Sequence, residues 1–485
     1  MRNLALAVCF SALVACVDAP SEPTETASQA LATNNVSPEI ANVAQHPHAA
    51  ICGGGRFRCF AQRRTNDAGN FIAYAQSQGL GATDLVSAYN LDTSVDPGAT
   101  IAIIDAYGYT NLASDLATYR THYGLPACTV ASGCLKIVNQ QGATSPLPAN
   151  PPPNDDWTGE TALDVQVASA ACPKCKLLVV LADDDQGDGL MIANTTAASL
   201  GATVISNSWG SPESGASTIA SSEAYFDHPG IAIFVASGDN GYDDGGQGPD
   251  YPSTSAFTIG VGGTTLVASS NSRGWTEAAW SSGGSSCSTS IAKPAWQTST
   301  ACANRMASDV SAVGDPNTGV AVYNASQGGW AVIGGTSAAS PLVAAIFALT
   351  KHGDTTAAFA YANTAAFNDV TSGKNGTCTT ALCMAAAGWD APTGIGTPDG
   401  AKLAALGGSG SGGGGTSTGS GSGTNIGSGS DAGSAGGSST TGGGSDTTDT
   451  SSGTSGGCSA GGGMAGSGSL IVIGLAALRR GRRRS

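Results

Sequence analysis

The chain has 485 residues, 70 of them glycine, and only 11% are charged. That length suits one large or two ordinary domains, and the composition is unusual for a cytosolic enzyme. A formal net charge of -15 argues against nucleic acid as a partner, because a polyanion is bound through clustered Lys and Arg.

Met1-Arg2-Asn3 precedes an apolar run from Leu4 to Ala15, the pattern of a secretory signal, which we place at residues 1–19. Leu13-Val14-Ala15-Cys16 within it resembles the lipobox of bacterial lipoproteins, in which the cysteine is lipidated. Residues 20–80 follow as a lead-in or short pro-segment.

From residue 81 short apolar runs alternate with small-residue helical stretches. "TIAIIDA" (100 to 106), "KLLVVLA" (176 to 182), "ATVIS" (202 to 206) and "IAIFVAS" (231 to 237) read as strands buried on both faces. "NLASDLATYRTHYG", "WTGETALDVQVASAA" and "GLMIANTTAASLG" between them read as helices. This alternation predicts an α/β fold, a doubly wound parallel sheet with helices on both faces. Active sites of such sheets gather at the strands' carboxyl ends, where Asp105, Ser208 and Asp239 fall.

Ten cysteines form sequence-close couples: Cys52 with Cys59, Cys128 with Cys134, Cys172 with Cys175, Cys287 with Cys302, and Cys378 with Cys383. An even set of this kind in an exported chain reads as local disulfides. Cys172-Pro-Lys-Cys175 is also open to a redox or zinc reading.

In "WTGETALD", Glu160 and Asp164 stand four apart and share one helix face with Val167, Ala168 and Ala171. Such pairs are usually a solvated face. Here the flanks are small or apolar, so a partly desolvated pair can serve as general base. "FVASGDNG" puts Asp239 after a buried strand, either in an Asx turn or as an oxyanion donor, which an aspartate can be only when protonated. "GGTSAASPLVAAIFALT" sets Ser337 at the start of an apolar helix, with Pro341 expected in its first turn. None of the five histidines, His46, His48, His122, His228 and His352, stands in a setting that suits a serine hydrolase base.

Taken in order, "GETALD", "SNSWG", "SGDNG", "YPSTSAFTIGVGGT" and "GGTSAASP" resemble the sedolisin family of serine-carboxyl peptidases across roughly residues 81–406. The resemblance implies a subtilisin-like fold, hydrolysis of protein or peptide substrates at acidic pH, and a triad of Ser337, Glu160 and Asp164. It also implies Asp239 as the oxyanion-hole carboxyl and one structural Ca²⁺. Two loops supply hard oxygens for that ion: the carboxylates of Asp369 and Asp390 and the carbonyls of Val370, Ala386 and Gly388. The family pattern has proline where this chain has Ser308. A conventional subtilisin with Asp105 as its aspartate lacks a catalytic histidine, and a catalytically dead surface adhesin on a peptidase scaffold is the remaining alternative.

Residues 407–457 are almost wholly Gly, Ser, Thr and Asp, a flexible linker whose ends lie on the order of 40 Å apart. The segment 458–485 joins Cys458, an apolar stretch from Leu470 to Leu478, and arginines at 479, 480 and 482 to 484. It resembles the sorting tails of myxobacterial surface proteins, and the apolar stretch is short for a full membrane span. The expectation is a monomer at the surface of, or secreted by, a Gram-negative bacterium, with membrane or surface anchoring through a terminal segment.

Overall fold

The computed structural model describes residues 36–408. The expected signal, the Cys16 lipobox, the linker beyond Gly408 and the sorting tail lie outside the described residues. Among those described, no helix is long and apolar enough to cross a membrane.

An eight-stranded sheet forms the centre. Its order is Trp275–Ala279, Ile259–Ala268, Ala232–Ala236, Val204–Asn207, Thr100–Ala106, Lys176–Ala182 and Leu135–Asn139, with Val310–Val313 also paired to Ile259–Ala268. Every pairing is parallel except that of Trp275–Ala279. The four apolar runs read from the sequence occupy the middle, where both faces are covered and no polar alternation is needed. The predicted helices form as Leu112–His122, Trp157–Ala171 and Gly189–Ser199. The α/β expectation therefore holds.

Trp157–Ala171 and Thr336–Leu349 are buried at every position and pack against each other and the sheet. Their many alanines let the backbones approach closely. Pro341 lies one turn deeper in its helix than expected. It removes the N–H that would reach the Ser337 carbonyl, and the Ser208 hydroxyl donates to that carbonyl instead, at 3.4 Å.

The N-terminal lead-in is woven into the body. His48–Ala50 and Gln62–Arg64 extend a sheet with Gly329–Gly334 and Val320–Asn324, while Arg58–Cys59 pairs with Trp209–Pro212. All five cysteine couples are disulfide-bonded, so Cys172 and Cys175 offer no thiolates to zinc. At Ser308 the backbone is left-handed, φ 64°, a conformation that the proline ring forbids. The family's proline is thus incompatible with this loop as it stands, and Ser308 instead donates its hydroxyl to the Gly284 carbonyl at 2.9 Å.

The same loop carries a buried ion pair. Arg305 reaches both oxygens of Asp309, at 2.8 and 2.5 Å, with both side chains fully buried. Removing one partner strands the other charge in a dry interior. Arg305→Met should therefore cost about 3–5 kcal/mol of unfolding free energy, read by denaturant titration; a loss below about 1 kcal/mol would mean water reaches Asp309.

Candidate active site

Three elements bring the predicted residues together. The Thr336–Leu349 helix places Ser337 in its first turn, the Trp157–Ala171 helix carries Glu160 and Asp164, and Asp239 follows the Ala232–Ala236 strand. Ser337, Glu160 and Asp164 are fully buried and Asp239 is nearly so.

A third carboxyl joins the pair. Asp105, near the end of the Thr100–Ala106 strand, is fully buried and close enough to raise the pKa of both Glu160 and Asp164. Burial is the largest cause in each case, and it holds Glu160 and Asp164 well above the usual carboxyl range. Asp105 is pushed up to about 7, again by burial. None of the six oxygens has a hydrogen-bond partner in the protein, so proximity and dryness together disfavour ionising all three. The sequence placed Asp105 at a strand's end without tying it to this cluster. Nothing in its own neighbourhood signals a carboxyl triplet, because the contact spans more than fifty residues.

The Ser337 hydroxyl is engaged elsewhere. Its Oγ donates to the Ser208 carbonyl at 3.1 Å and accepts from the Phe60 N–H at 3.1 Å. Ser337 is near enough to Glu160 to draw its pKa down, yet the Glu160 oxygens have no hydrogen-bond partner. The Cys52–Cys59 disulfide lies over Glu160, with both sulfurs within 4.8 Å of a carboxylate oxygen and of each other. As a disulfide it is no metal ligand.

Asp239 is oriented by the helix that carries Ser337. The Thr336 N–H and hydroxyl both donate to Oδ1, at 2.8 and 2.9 Å, while Oδ2 is buried without a partner. Burial pushes this carboxyl up to about 7. Oδ1 is fixed as an acceptor, so the proton belongs on Oδ2.

The histidines are committed away from Ser337. His122 stacks on Tyr123 and Trp330, and the His352 ring meets the Leu403 carbonyl. His48 contacts the His46 carbonyl, and His228 sits in a turn before the Ala232–Ala236 strand. None is a hydrogen-bond partner of Ser337 among the described residues.

The calcium loops are also close together. Asp390, fully buried, accepts from Thr393 N–H and hydroxyl on Oδ1 and from Ala386 N–H on Oδ2, while Asp369 accepts from Gly388 N–H at 2.9 Å. Burial raises both carboxyls, Asp390 to about 8 with Asp369 adding to the rise. Neither joins an ion pair among the described residues. Two adjacent carboxylates lacking a countercharge, beside the Val370, Ala386 and Gly388 backbone, make a hard-oxygen donor set that fits Ca²⁺.

Comparison with known proteins adds an independent line. The subtilase family model matches residues 149–396. Kumamolisin of Bacillus sp. (strain MN-32) is 33% identical over 373 residues, covering 69% of this chain and 65% of that protein. Sedolisin of Pseudomonas sp. (strain 101) is 31% identical over 379 residues, covering 69% of this chain and 62% of that one. The chain therefore spans just under two thirds of the length of these curated relatives. A solved Pseudomonas sedolisin, described as a serine-carboxyl proteinase complexed with two molecules of pseudo-iodotyrostatin, matches with a TM-score of 0.59 and 26% identity, over 68% of this chain and 98% of that one.

Raised carboxyl pKa values have a stability consequence. A group whose folded pKa lies above its unfolded value binds its proton more tightly in the native state, so its stabilisation is complete below the unfolded pKa and is lost as pH rises through the folded one. For Asp239, moved from 3.8 to about 7, that is on the order of 4 kcal/mol. Asp105 acts in the same window. The melting temperature of an inactive Ser337→Ala chain should fall as pH rises from about 5 to about 8; a flat or rising profile would show these carboxyls to be ionised throughout.

Proposed function

This chain belongs to the subtilase family, and from that premise we propose that it is a serine-carboxyl endopeptidase acting on protein or peptide substrates. The supporting observation is that Ser337 is flanked by a dry cluster of carboxyls and by no histidine. In this reading Glu160 is the base, Asp164 is its orienting partner, Ser337 is the nucleophile and Asp239 is the oxyanion donor.

The reaction runs through an acyl-enzyme. Glu160 takes the Ser337 proton as Oγ attacks the substrate carbonyl carbon. Negative charge gathers on the carbonyl oxygen, where protonated Asp239 donates from Oδ2 and the first N–H groups of the nucleophile's helix add their dipole. Glu160 then passes its proton to the leaving amine. Water repeats the sequence on the ester and frees Ser337. Asp164 and Asp105 each disfavour a charge on Glu160, so the cluster titrates as a unit.

A calcium ion held by Asp369, Asp390 and the Val370, Ala386 and Gly388 carbonyls would neutralise the two carboxylates and brace the end of the domain. No triad member is among these ligands. The signal-like run at residues 1–19, the lipobox at Cys16 and the tail at 458–485 support secretion by, or display at the surface of, a Gram-negative bacterium.

Activity should be bell-shaped in pH and centred in the acid range, because Glu160 must be ionised while Asp239 keeps its proton. The alkaline limb follows Asp239, whose pKa of about 7 marks where the donor is lost. Asp239→Asn supplies a donor that does not titrate, so it should retain some activity and carry that limb to higher pH with the acid limb nearly in place. Rates of casein digestion across pH make the test. An unmoved limb in a folded variant removes Asp239 from the role, and a neutral optimum in the parent sinks the carboxyl mechanism.

Chelating calcium should lower the melting temperature. A site saturated a hundredfold over its Kd contributes about 3 kcal/mol, and Asp369→Asn should abolish the response. Equal melting curves with and without chelator would remove the calcium assignment.

A further inference from the structure

Of the five histidines, His352 alone is fully buried. It follows the Thr336–Leu349 helix in a turn fixed against the base of the sheet: its N–H donates to the Phe347 carbonyl at 2.8 Å, and the Ala232 N–H donates to the Gly353 carbonyl at 2.6 Å. The ring has a defined protonation pattern. Its Nε2 lies 3.0 Å from the Leu403 carbonyl, and a carbonyl only accepts, so Nε2 carries the hydrogen and Nδ1 keeps a lone pair. Nδ1 is buried without a partner. The Phe359 ring packs against the imidazole at 4.6 Å between centroids.

The far side of this bond is the last helix, Gly400–Ala405. Six residues do not hold a helix in water, so this one exists by docking. Its first turn is tied down by Asp399, which accepts from the Lys402 N–H at 3.2 Å and from Asn90 at 3.0 Å, and by the Gly400 N–H, which donates to the Tyr89 carbonyl at 2.8 Å. Beyond that turn the holds are fewer. Leu403 is buried, and among the described residues His352 makes the one side-chain hydrogen bond to positions 403–405.

The charges around the ring do little to welcome a second proton. Asp354 favours the imidazolium, but burial outweighs it and holds the ring below the usual histidine range. Lys351 adjoins His352 in sequence, and Lys402 on the facing helix is paired with Asp399 at 3.4 Å. The Val204–Asn207 and Ala232–Ala236 strands and the Thr336–Leu349 helix bring no charged residue. Tyr361 of the Ala357–Ala362 helix is turned to Asp309, at 3.1 Å.

We propose that His352 is an acid-operated clasp on the C-terminal end of the body: a proton on Nδ1 loosens the Gly400–Ala405 helix and opens the junction with the residues beyond 408 to proteolysis. In the docked state the new N–H finds no acceptor and a cation sits in a dry interior; in the undocked state water solvates it. A group whose folded pKa is depressed contributes stability that is present above its unfolded value and is lost as pH falls through the folded one. Undocking should therefore grow roughly tenfold for each pH unit below about 6.5, until the docked ring is itself protonated. The raised carboxyls of the site act with the opposite sign. Acid thus tightens the body while it frees the terminal helix, with no step of the peptidase reading involved.

Amide exchange of the full chain carrying Ser337→Ala, corrected for intrinsic rates, tests this at about pH 7 and about pH 4. Protection over residues 400–406 should fall tenfold or more at the lower pH, while the Gly189–Ser199 helix keeps or gains protection. His352→Gln offers Leu403 a donor that does not titrate, and His352→Phe fills the space with no donor; in either variant the acid loss at 400–406 should vanish. Pepsin at about pH 4 should cut between 399 and 408 several-fold faster in the histidine chain than in His352→Gln. The NMR titration midpoint of His352 needs no variant to fold. Unchanged protection at 400–406, an acid loss that persists in both variants, or a midpoint at or above about 6.5 would overturn the clasp.

Discussion

The active site depends on keeping carboxyl groups dry. In the serine-carboxyl reading proposed above only carboxyls are at hand to accept and donate protons, and in water those groups are ionised above about pH 4. Burial changes the balance. It lifts Asp239 to about 7 and raises the Glu160, Asp164 and Asp105 cluster, so acid and base forms coexist in one pocket. The fold supplies that burial by enclosing Trp157–Ala171 on all sides. Helix faces that would be polar in an ordinary α/β protein are alanine, valine and leucine here, and the polar exceptions are satisfied locally: Gln166 exchanges hydrogen bonds with the Tyr323 backbone, and Thr161 donates to the Trp157 carbonyl. The Glu160 and Asp164 oxygens are left without such partners, the arrangement expected where strain is retained for chemistry.

Close approach is the second requirement, and glycine meets it at two places. Gly335 lets the backbone at Phe60 approach Asp239, since any side chain there would occupy the Phe60 carbonyl. Gly284 carries the Ser237 backbone so near that a Cβ would fall 2.1 Å from its carbonyl, and the Ser237 hydroxyl donates to the Gly284 carbonyl at 2.7 Å. These contacts fix the loop that presents Asp239. Position thus comes from backbone proximity, and proton affinity from the surrounding apolar packing.

Much of this was legible in the sequence for physical reasons. Strands buried on both faces leave continuous apolar runs, so Thr100–Ala106 and Lys176–Ala182 could be read to the residue. Glu160 and Asp164 could be paired by helical spacing alone. Asp105 belonged to the same cluster but announced it only through a long-range contact. Arg58–Cys59 and Gln62–Arg64 were harder still, because strands of two or three residues carry no periodicity and exist only through their partners at 209–212 and 329–334. Ser308 was read as a departure from a family pattern; its left-handed backbone shows that the loop geometry excludes proline.

On the proposed mechanism, acid stability and acid activity have one origin. A protein could separate them by stabilising its fold with ionised surface pairs and reserving protonated carboxyls for the site, but among the described residues surface pairs are few and weak in water, and they include half-exposed partners such as Arg56 with Asp188. The burial that keeps a proton on Asp239 also makes the native state bind protons that the unfolded chain releases. Ionising Asp239 therefore places a charge in the interior and, on the proposed mechanism, removes the oxyanion donor at the same step. The acid range in which Asp239 keeps its proton is also the range in which its burial costs the fold least, so the proposed catalytic window would be set by packing around Thr336 and Asp239 together.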